Sequence, residues 1–411
     1  MIRDLFGIKS GKTYRPVTLV RYQWVSQADA SGRHDEVASP TGHVLIAPDK
    51  FKGSLTALQV ARHVAAGLTR ARPGLTMVTL PVADGGDGTV AAAVTAGFTR
   101  VPVTVAGPLG RPVAAALAIR DRTAVVELAE ASGLERLPDG KLQPMTSTSY
   151  GTGQMIAEAV RLGARRIVLG LGGSACTDGG AGMIQGLGGR LLDVAGNDLP
   201  PGGAALRSLH AVDLRGLTDL TTLEVIVASD VDNPLLGSDG AAAVYGPQKG
   251  ANREGVKVLE AGLRRWADLA EAASRRPSRE KPGAGAAGGV GFAALAFLGA
   301  RMEPGIGYLL ELLGFTAQLA GARLVITGEG SLDAQTLRGK APIGVARAAA
   351  RAGVPVVAVC GRRSLTGEQL RRAKIHAAYA LSDIESDLER CLRQAGPLLE
   401  QLTVAIAAEW L

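Results

Sequence analysis

The stretch LEVIVASDVDNPLLGSDGAAAVYGPQKG, Leu223 to Gly250, decides the fold. Its opening run is apolar and β-branched, as in a strand buried on both faces of a parallel sheet. Asp230, Asp232 and Asn233 then crowd the end of this buried strand, where they are expected to be buried and unpaired carboxylates would be costly. Pro234 stops the strand, and a helix is expected from about Ala251 to Ala273. Four other segments repeat this strand-to-loop pattern with loops rich in Asp and Gly. They are VLIAPDKFKGS (Val44 to Ser54), VTLPVADGGDGT (Val78 to Thr89), RIVLGLGGSACTDGGAG (Arg166 to Gly182) and LVITGEGSLDAQTLRGK (Leu324 to Lys340). In open α/β sheets ligands lie at the carboxyl ends of strands, where helix N-termini and loop amides converge. Carboxylates gathered there suggest a metal ion and a phosphorylated ligand.

Outward from these loops, strand and helix alternate, with one β-rich interruption spanning FTRVPVTVAG, PVAAALAIR and TAVVELAE. This order predicts an α/β fold, mainly parallel sheets with helices on both faces. At 411 residues the chain is long for one core. We expect a discontinuous α/β domain, 43–85 plus 290–411, and a second α/β domain, 86–289, inserted into it. Residues 1–42 show no sustained period and are expected to be a poorly ordered extension. Their GIKSGKT imitates a phosphate loop, but has three residues rather than four before Gly-Lys and no preceding strand.

Composition narrows the function. Only 4% of residues are aromatic, too few for a stacking platform on single-stranded nucleic acid, and the net charge of +7 is spread along the chain. The densest basic cluster, Arg275 to Lys281, reads as a solvated helix end, while the positive field suits an anionic substrate. Cys176, Cys360 and Cys391 are scattered and form no CxxC pair. With no apolar run of membrane-spanning length, a soluble, cytoplasmic protein without membrane or nucleic-acid partners is expected, and a homo-oligomer is left open. GAGAAG (Gly283 to Gly288) satisfies the dinucleotide fingerprint but follows SRRPSREKP instead of a strand. It reads as a glycine-rich helix start packed close to a neighbour or lying over a phosphate.

Each loop has its own chemistry. Asp84 and Asp87 lie three apart on a glycine backbone and can turn toward one point; two carboxylates plus phosphate oxygens suit Mg²⁺. Gly172, Gly173 and Ser174 make a small-residue turn whose amides suit an anion. Asp178 reads equally as a helix cap or a functional acid. Gln248 and Lys249, between Gly246 and Gly250, are expected to project from a turn as a clamp for phosphate or carboxylate. Gly328, Glu329, Asp333 and Gln335 precede Lys340 at a helix start, and Asp49, Lys50, Lys52 and Ser54 repeat the theme, with Ser54 a candidate N-cap.

These segments, together with TSYGTGQMI, GAGAAGGVGFAALAFLGA and PVVAVCG, resemble in content and order those of class I glycerate kinases, over nearly everything from His43 onward. The resemblance implies ATP-dependent phosphorylation of D-glycerate with Mg²⁺, usually at the 2-hydroxyl in bacterial members. It also implies one flavodoxin-like domain and one resembling restriction-enzyme folds, with the active site in the cleft between them. On that reading the transfer is in line. Lys52, Lys249 and Lys340 surround the phosphates and carboxylate, Asp84, Asp87 and Glu329 hold the metal, and Asp178 or Asp232 accepts the hydroxyl proton. Asp49, Ser54, Gly172, Gly173, Ser174, Asp230, Asn233, Gln248, Gly328, Asp333, Gln335 and Lys340 would line the substrate and nucleotide sites. The chain departs from the family pattern at Ser331, where arginine is common, and at Lys50, where serine is. Two other classes remain open: a nicotinamide-dependent oxidoreductase using GAGAAG, and a sugar-acid sensor without turnover.

Overall fold

The computed structural model describes residues 42–411. GIKSGKT and the expected extension therefore lie outside the described residues, apart from Gly42. The strands are β1 (His43–Pro48), β2 (Met77–Thr79), β3 (Thr99–Ala106), β4 (Pro112–Arg120), β5 (Thr123–Glu127), β6 (Arg166–Gly170), β7 (Arg190–Leu192), β8 (Ala211–Asp213), β9 (Glu224–Ala228), β10 (Arg301–Glu303), β11 (Ala322–Leu332), β12 (Val356–Arg363) and β13 (Ala377–Ala380). As the apolar runs predict, the α/β architecture is built on mainly parallel sheets.

The first sheet runs β13-β12-β11-β1-β2, all parallel. Numbered by appearance within that sheet, this is 2-1-3-4-5, the flavodoxin-like order, whose direction reverses between β1 and β11. The second sheet runs β10-β9-β6-β5-β4-β3. It is parallel from β10 to β5 and antiparallel at β5-β4-β3, where turns at Pro108 to Gly110 and Asp121 to Arg122 replace helical crossovers. Strand β10 pairs with β9, and helix Ala286–Phe297 is buried against the same core, so the chain returns to the first sheet only after residue 303, beyond the expected boundary at 290.

Three cores stack across the molecule. The outer face of the first sheet buries Ile46, Ile326 and Val359 under helices Ala57–Ala71 and Ala395–Trp410. The far face of the second buries Leu169 and Val227 with Trp266 and Phe292. Between the sheets, one continuous core joins Val325 and Ala358 to Ala116, Val125 and Val168 through helices Thr89–Thr95, Gly305–Leu312 and Ala341–Arg351. The sheets thus share their middle layer and bring the carboxyl ends of β1, β11, β6 and β9 toward one region.

GAGAAG closes a packed crossing. Ala287, Gly288 and Gly289 have φ of 55°, 71° and 93°, and a Cβ on Gly288 would strike the Cys176 carbonyl. The Gly179 amide donates to Gly288 O at 3.0 Å. The segment packs against its neighbours, one of the two readings the sequence allowed.

Candidate active site

The site is assembled at the switch point between β1 and β11. Asp49 follows β1 and is buried, with the Lys50 amide donating to its Oδ1 at 2.6 Å. Burial, then repulsion from Asp84, lifts the Asp49 carboxyl to about 8, and Glu329 adds to the lift. Lys50 reaches across to the second loop, its Nζ donating to the Asp87 carbonyl at 2.6 Å and lying 3.4 Å from Asp87 Oδ2. Lys52 is exposed, its amide beside Gly330. Ser54 is not the helix cap. Its Oγ donates to Phe51 O at 3.2 Å, closing a turn, because the chain needs two more residues to enter the helix. Thr56 caps instead, accepting from the Gln59 amide at 3.3 Å.

The ADGGDG loop lies directly on the second sheet. Gly172 donates its amide to Gly85 O at 3.0 Å, and a Cβ on Gly172 would collide with Gly86. Asp84 Oδ1 accepts from the Gly86 amide at 3.2 Å. The following helix starts at Gly88, at φ 100° and without a side-chain cap of its own. Glu127, at the end of β5, fills that place: its carboxylate accepts from the Gly88 amide at 3.1 Å and the Val90 amide at 3.0 Å. Sequence reasoning missed Glu127; the available signal was a lone acid ending the buried run TAVVE. Burial raises its carboxyl to about 7.

Two expected catalytic residues hold the third loop from behind. Lys249 does not project from its turn; it is 2% exposed, with Nζ donating to Ser174 Oγ at 2.8 Å and to the Cys176 carbonyl at 2.5 Å. Among the described residues no carboxylate lies in ion-pair reach of it, and burial pushes its ammonium pKa down. Asp178 is buried too and receives five donors: the Ser149 amide (2.8 Å), Ser149 Oγ (2.9 Å), Thr148 Oγ1 (3.3 Å) and the amides of Gly180 (3.1 Å) and Gly182 (3.2 Å). The capping reading of Asp178 therefore describes its surroundings.

In the fourth loop Asp230 and Asp232 are exposed rather than buried, because the chain leaves the sheet immediately after Ala228. Asp230 Oδ1 accepts from the Gly305 amide at 3.0 Å and faces Gly339 of the fifth loop. Asn233 is committed within its own loop, donating to Asp239 O at 2.8 Å and accepting from Tyr245 Oη at 2.7 Å. Gln248 is exposed.

In the fifth segment the strand outlasts the expected loop start: β11 runs on to Leu332, and Gly328 O within it accepts from the Asp49 amide at 2.8 Å, tying β11 to β1. Glu329 is buried; its Oε1 accepts from Thr336 Oγ1 at 2.5 Å and its Oε2 lies 3.5 Å from Lys340 Nζ. Burial raises its carboxyl. Asp333 Oδ1 accepts from the Gln335 amide at 2.8 Å, so Asp333 shapes a turn while the Gln335 side chain stays exposed. Ser331 Oγ accepts from Arg362 Nε at 3.1 Å, which places a guanidinium beside the position where the resemblance implies an arginine.

Asp49, Lys50, Asp84, Asp87, Glu329 and Lys340 thus form one cluster linked by contact or field. Gly172, Gly173 and Ser174 border it, while Lys249 and Asp178 stand behind that border. Among the described residues, no three His, Cys, Asp or Glu side chains are placed to hold a metal by themselves. Asp49, raised by its burial and by the neighbouring Asp84 and Glu329, nevertheless marks a place that fits a cation whose remaining ligands come from phosphate and water.

Comparison with known proteins bears on the family. The family model described as "Glycerate kinase family" matches residues 44–411. The glycerate kinase of Bacillus subtilis (strain 168) is 45% identical over 369 residues, covering 89% of this chain and 97% of that protein. The glycerate 2-kinase of Escherichia coli (strain K12) is 44% identical over 330 residues, covering 79% and 86%. A crystal structure from Salmonella typhimurium LT2, described as a "putative glycerate kinase 2", superposes with TM-score 0.75 at 41% identity, covering 90% of this chain and 98% of that one. Family model, relatives and fold converge on one conclusion: the chain belongs to the glycerate kinase family.

Proposed function

We propose that this chain, as a class I member, transfers the γ-phosphoryl group of ATP to D-glycerate in line, with 2-phosphoglycerate favoured over 3-phosphoglycerate. The observation that carries this reading is the acid cluster of buried Asp49 and Glu329 with half-buried Asp84, flanked by Lys50 and Lys340 at the switch point. Mg²⁺, held by the carboxylates of Asp84 and Glu329 with phosphate and water completing its shell, would neutralise charge on the phosphates. Asp87, also a candidate for the metal, holds Lys50 through its carbonyl oxygen and its carboxylate. The Gly173 amide and the Ser174 hydroxyl suit an anionic group of either substrate, while the Gly172 amide is already given to Gly85 O. Of the two acids expected to accept the hydroxyl proton, Asp178 is saturated with donors. Asp232, exposed and without a hydrogen-bond partner among the described residues, takes that role in this reading. Among the described residues no helix is long and apolar enough to cross a membrane, and we place the reaction in the cytoplasm.

A coupled ADP-release assay with D-glycerate, L-glycerate and related hydroxy acids tests the proposal, and phosphorus NMR of the product tells which hydroxyl is modified. ADP release that depends on D-glycerate is expected. Ligand binding with no ADP release from any acid would favour a sensor, and enhancement of NADH fluorescence an oxidoreductase.

A second test addresses Lys249. Lys249→Met leaves Ser174 Oγ and Cys176 O without their donor, so turnover should fall roughly tenfold as the Gly172 to Ser174 turn loosens. Stability should change by less than about 1 kcal/mol, since removing a buried ammonium offsets the lost hydrogen bonds. Parallel kcat and urea-melt measurements check the pair; an unchanged kcat would remove Lys249 from the machinery.

A further inference from the structure

The ladder between β11 and β12 outruns the rest of its sheet. Strand β1 stops at Pro48, opposite Gly328, and β13 stops at Ala380, opposite Cys360. Pairing of β11 with β12 continues through Ser331 with Arg362 and Leu332 with Arg363. The two-stranded ribbon therefore extends three residues past Glu329, about 10 Å at the ordinary rise of a strand. It stands beside the crevice where the order of the sheet reverses.

Side chains alternate along a strand, so Glu329 and Ser331 share a face, and paired positions of β12 put Cys360 and Arg362 on that face. Arg362 is exposed, and its Nε donates to Ser331 Oγ at 3.1 Å. Among the described residues that is its one hydrogen bond, which orients the guanidinium and leaves both terminal nitrogens unengaged. Among the described residues no carboxylate lies in ion-pair reach of Arg362. Its neighbour shows the contrast: Arg363 donates to the Ala378 carbonyl and lies 3.4 Å from Asp383 Oδ2, wholly committed to the fold.

We propose that Arg362 binds the polyphosphate of the nucleotide, with Ser331 as the residue that positions it. A guanidinium held at Nε presents two parallel N–H groups, the fork that matches two oxygens of a phosphate. Lys340 cannot do this alone, because its ammonium already lies 3.5 Å from Glu329. This inference rests on the kinase reading above.

Initial-rate kinetics on the full chain with ATP and D-glycerate varied separately test it. Arg362→Ala should raise the KM for ATP about tenfold, the usual scale for one charge-assisted pair, and leave the KM for D-glycerate within about twofold. Arg362→Lys should recover part of that loss, and Ser331→Ala should raise the KM for ATP by about threefold through lost orientation. A destabilised fold would instead lower active enzyme without splitting the two constants, so the split separates binding from structure. Parent-like constants in Arg362→Ala, or a rise confined to D-glycerate, would overturn the assignment. Absence of ATP-dependent turnover in the parent chain would overturn the kinase reading itself.

Discussion

Asp49→Asn should lower kcat by roughly 10² to 10³-fold, the scale found when one preorganised charge is taken from a reacting site. The same substitution should raise the melting temperature of the ligand-free protein by several degrees at pH 8. Both effects have one origin. Asp49 is buried near Asp84 and Glu329, and its carboxyl is lifted from the ordinary range to about 8. Because the folded-state pKa lies above the unfolded one, the native protein binds the extra proton between about pH 4 and 8, and stability is lost as pH rises through that window. Asparagine carries no charge there, so its advantage should be greatest at pH 8 and shrink toward pH 5. Melts of both proteins at pH 5, 6.5 and 8 read the trend. Equal stabilities at pH 8 would show that burial and the neighbouring acids do not strain the Asp49 carboxylate, and an unchanged kcat would remove Asp49 from the site.

Asp178→Ala should destabilise the protein by roughly 3 kcal/mol or more, because five donors are left facing a cavity in a buried setting. The expected signature is a lower urea midpoint with an unchanged slope. Asp178→Asn, which keeps the shape and one acceptor oxygen, should lose clearly less. If instead Asp178→Ala unfolded like the parent while losing all turnover, its carboxylate would be reacting rather than organising. The kinase reading puts Asp178 near the chemistry but assigns it the arrangement of Ser149, Gly180 and Gly182.

Much of this was legible in the chain because it depends on local rules. The runs HVLIAP, RIVLG, EVIVA and the apolar part of ARLVITGEGSL are strands where the text places them. Their loops lie at the carboxyl ends because alternation with helices leaves no other connection. Ser54 failed as a cap by two residues, since hydroxyls at either position satisfy the same preference and only the path of the chain selects between them. Asp230 and Asp232 were expected to be buried by their closeness to a buried strand, but a strand loses its cover where neighbouring strands end.

Sequence by itself determined the α/β class, the parallel strands, the five Asp/Gly loops and the family pattern they form. Periodicity, turn preference and helix capping act over a few residues, so they can be read in order along the text. Tertiary structure alone decided which polar groups face a ligand and which hold the framework. Lys249 is bound to a serine 75 residues away, Glu127 caps a helix 39 residues before it, and Arg362 is aimed by a hydroxyl 31 residues before it. A buried or half-buried polar group must take whatever partner the crossing of distant loops brings within about 3 Å, and that crossing exists only once the sheets have packed.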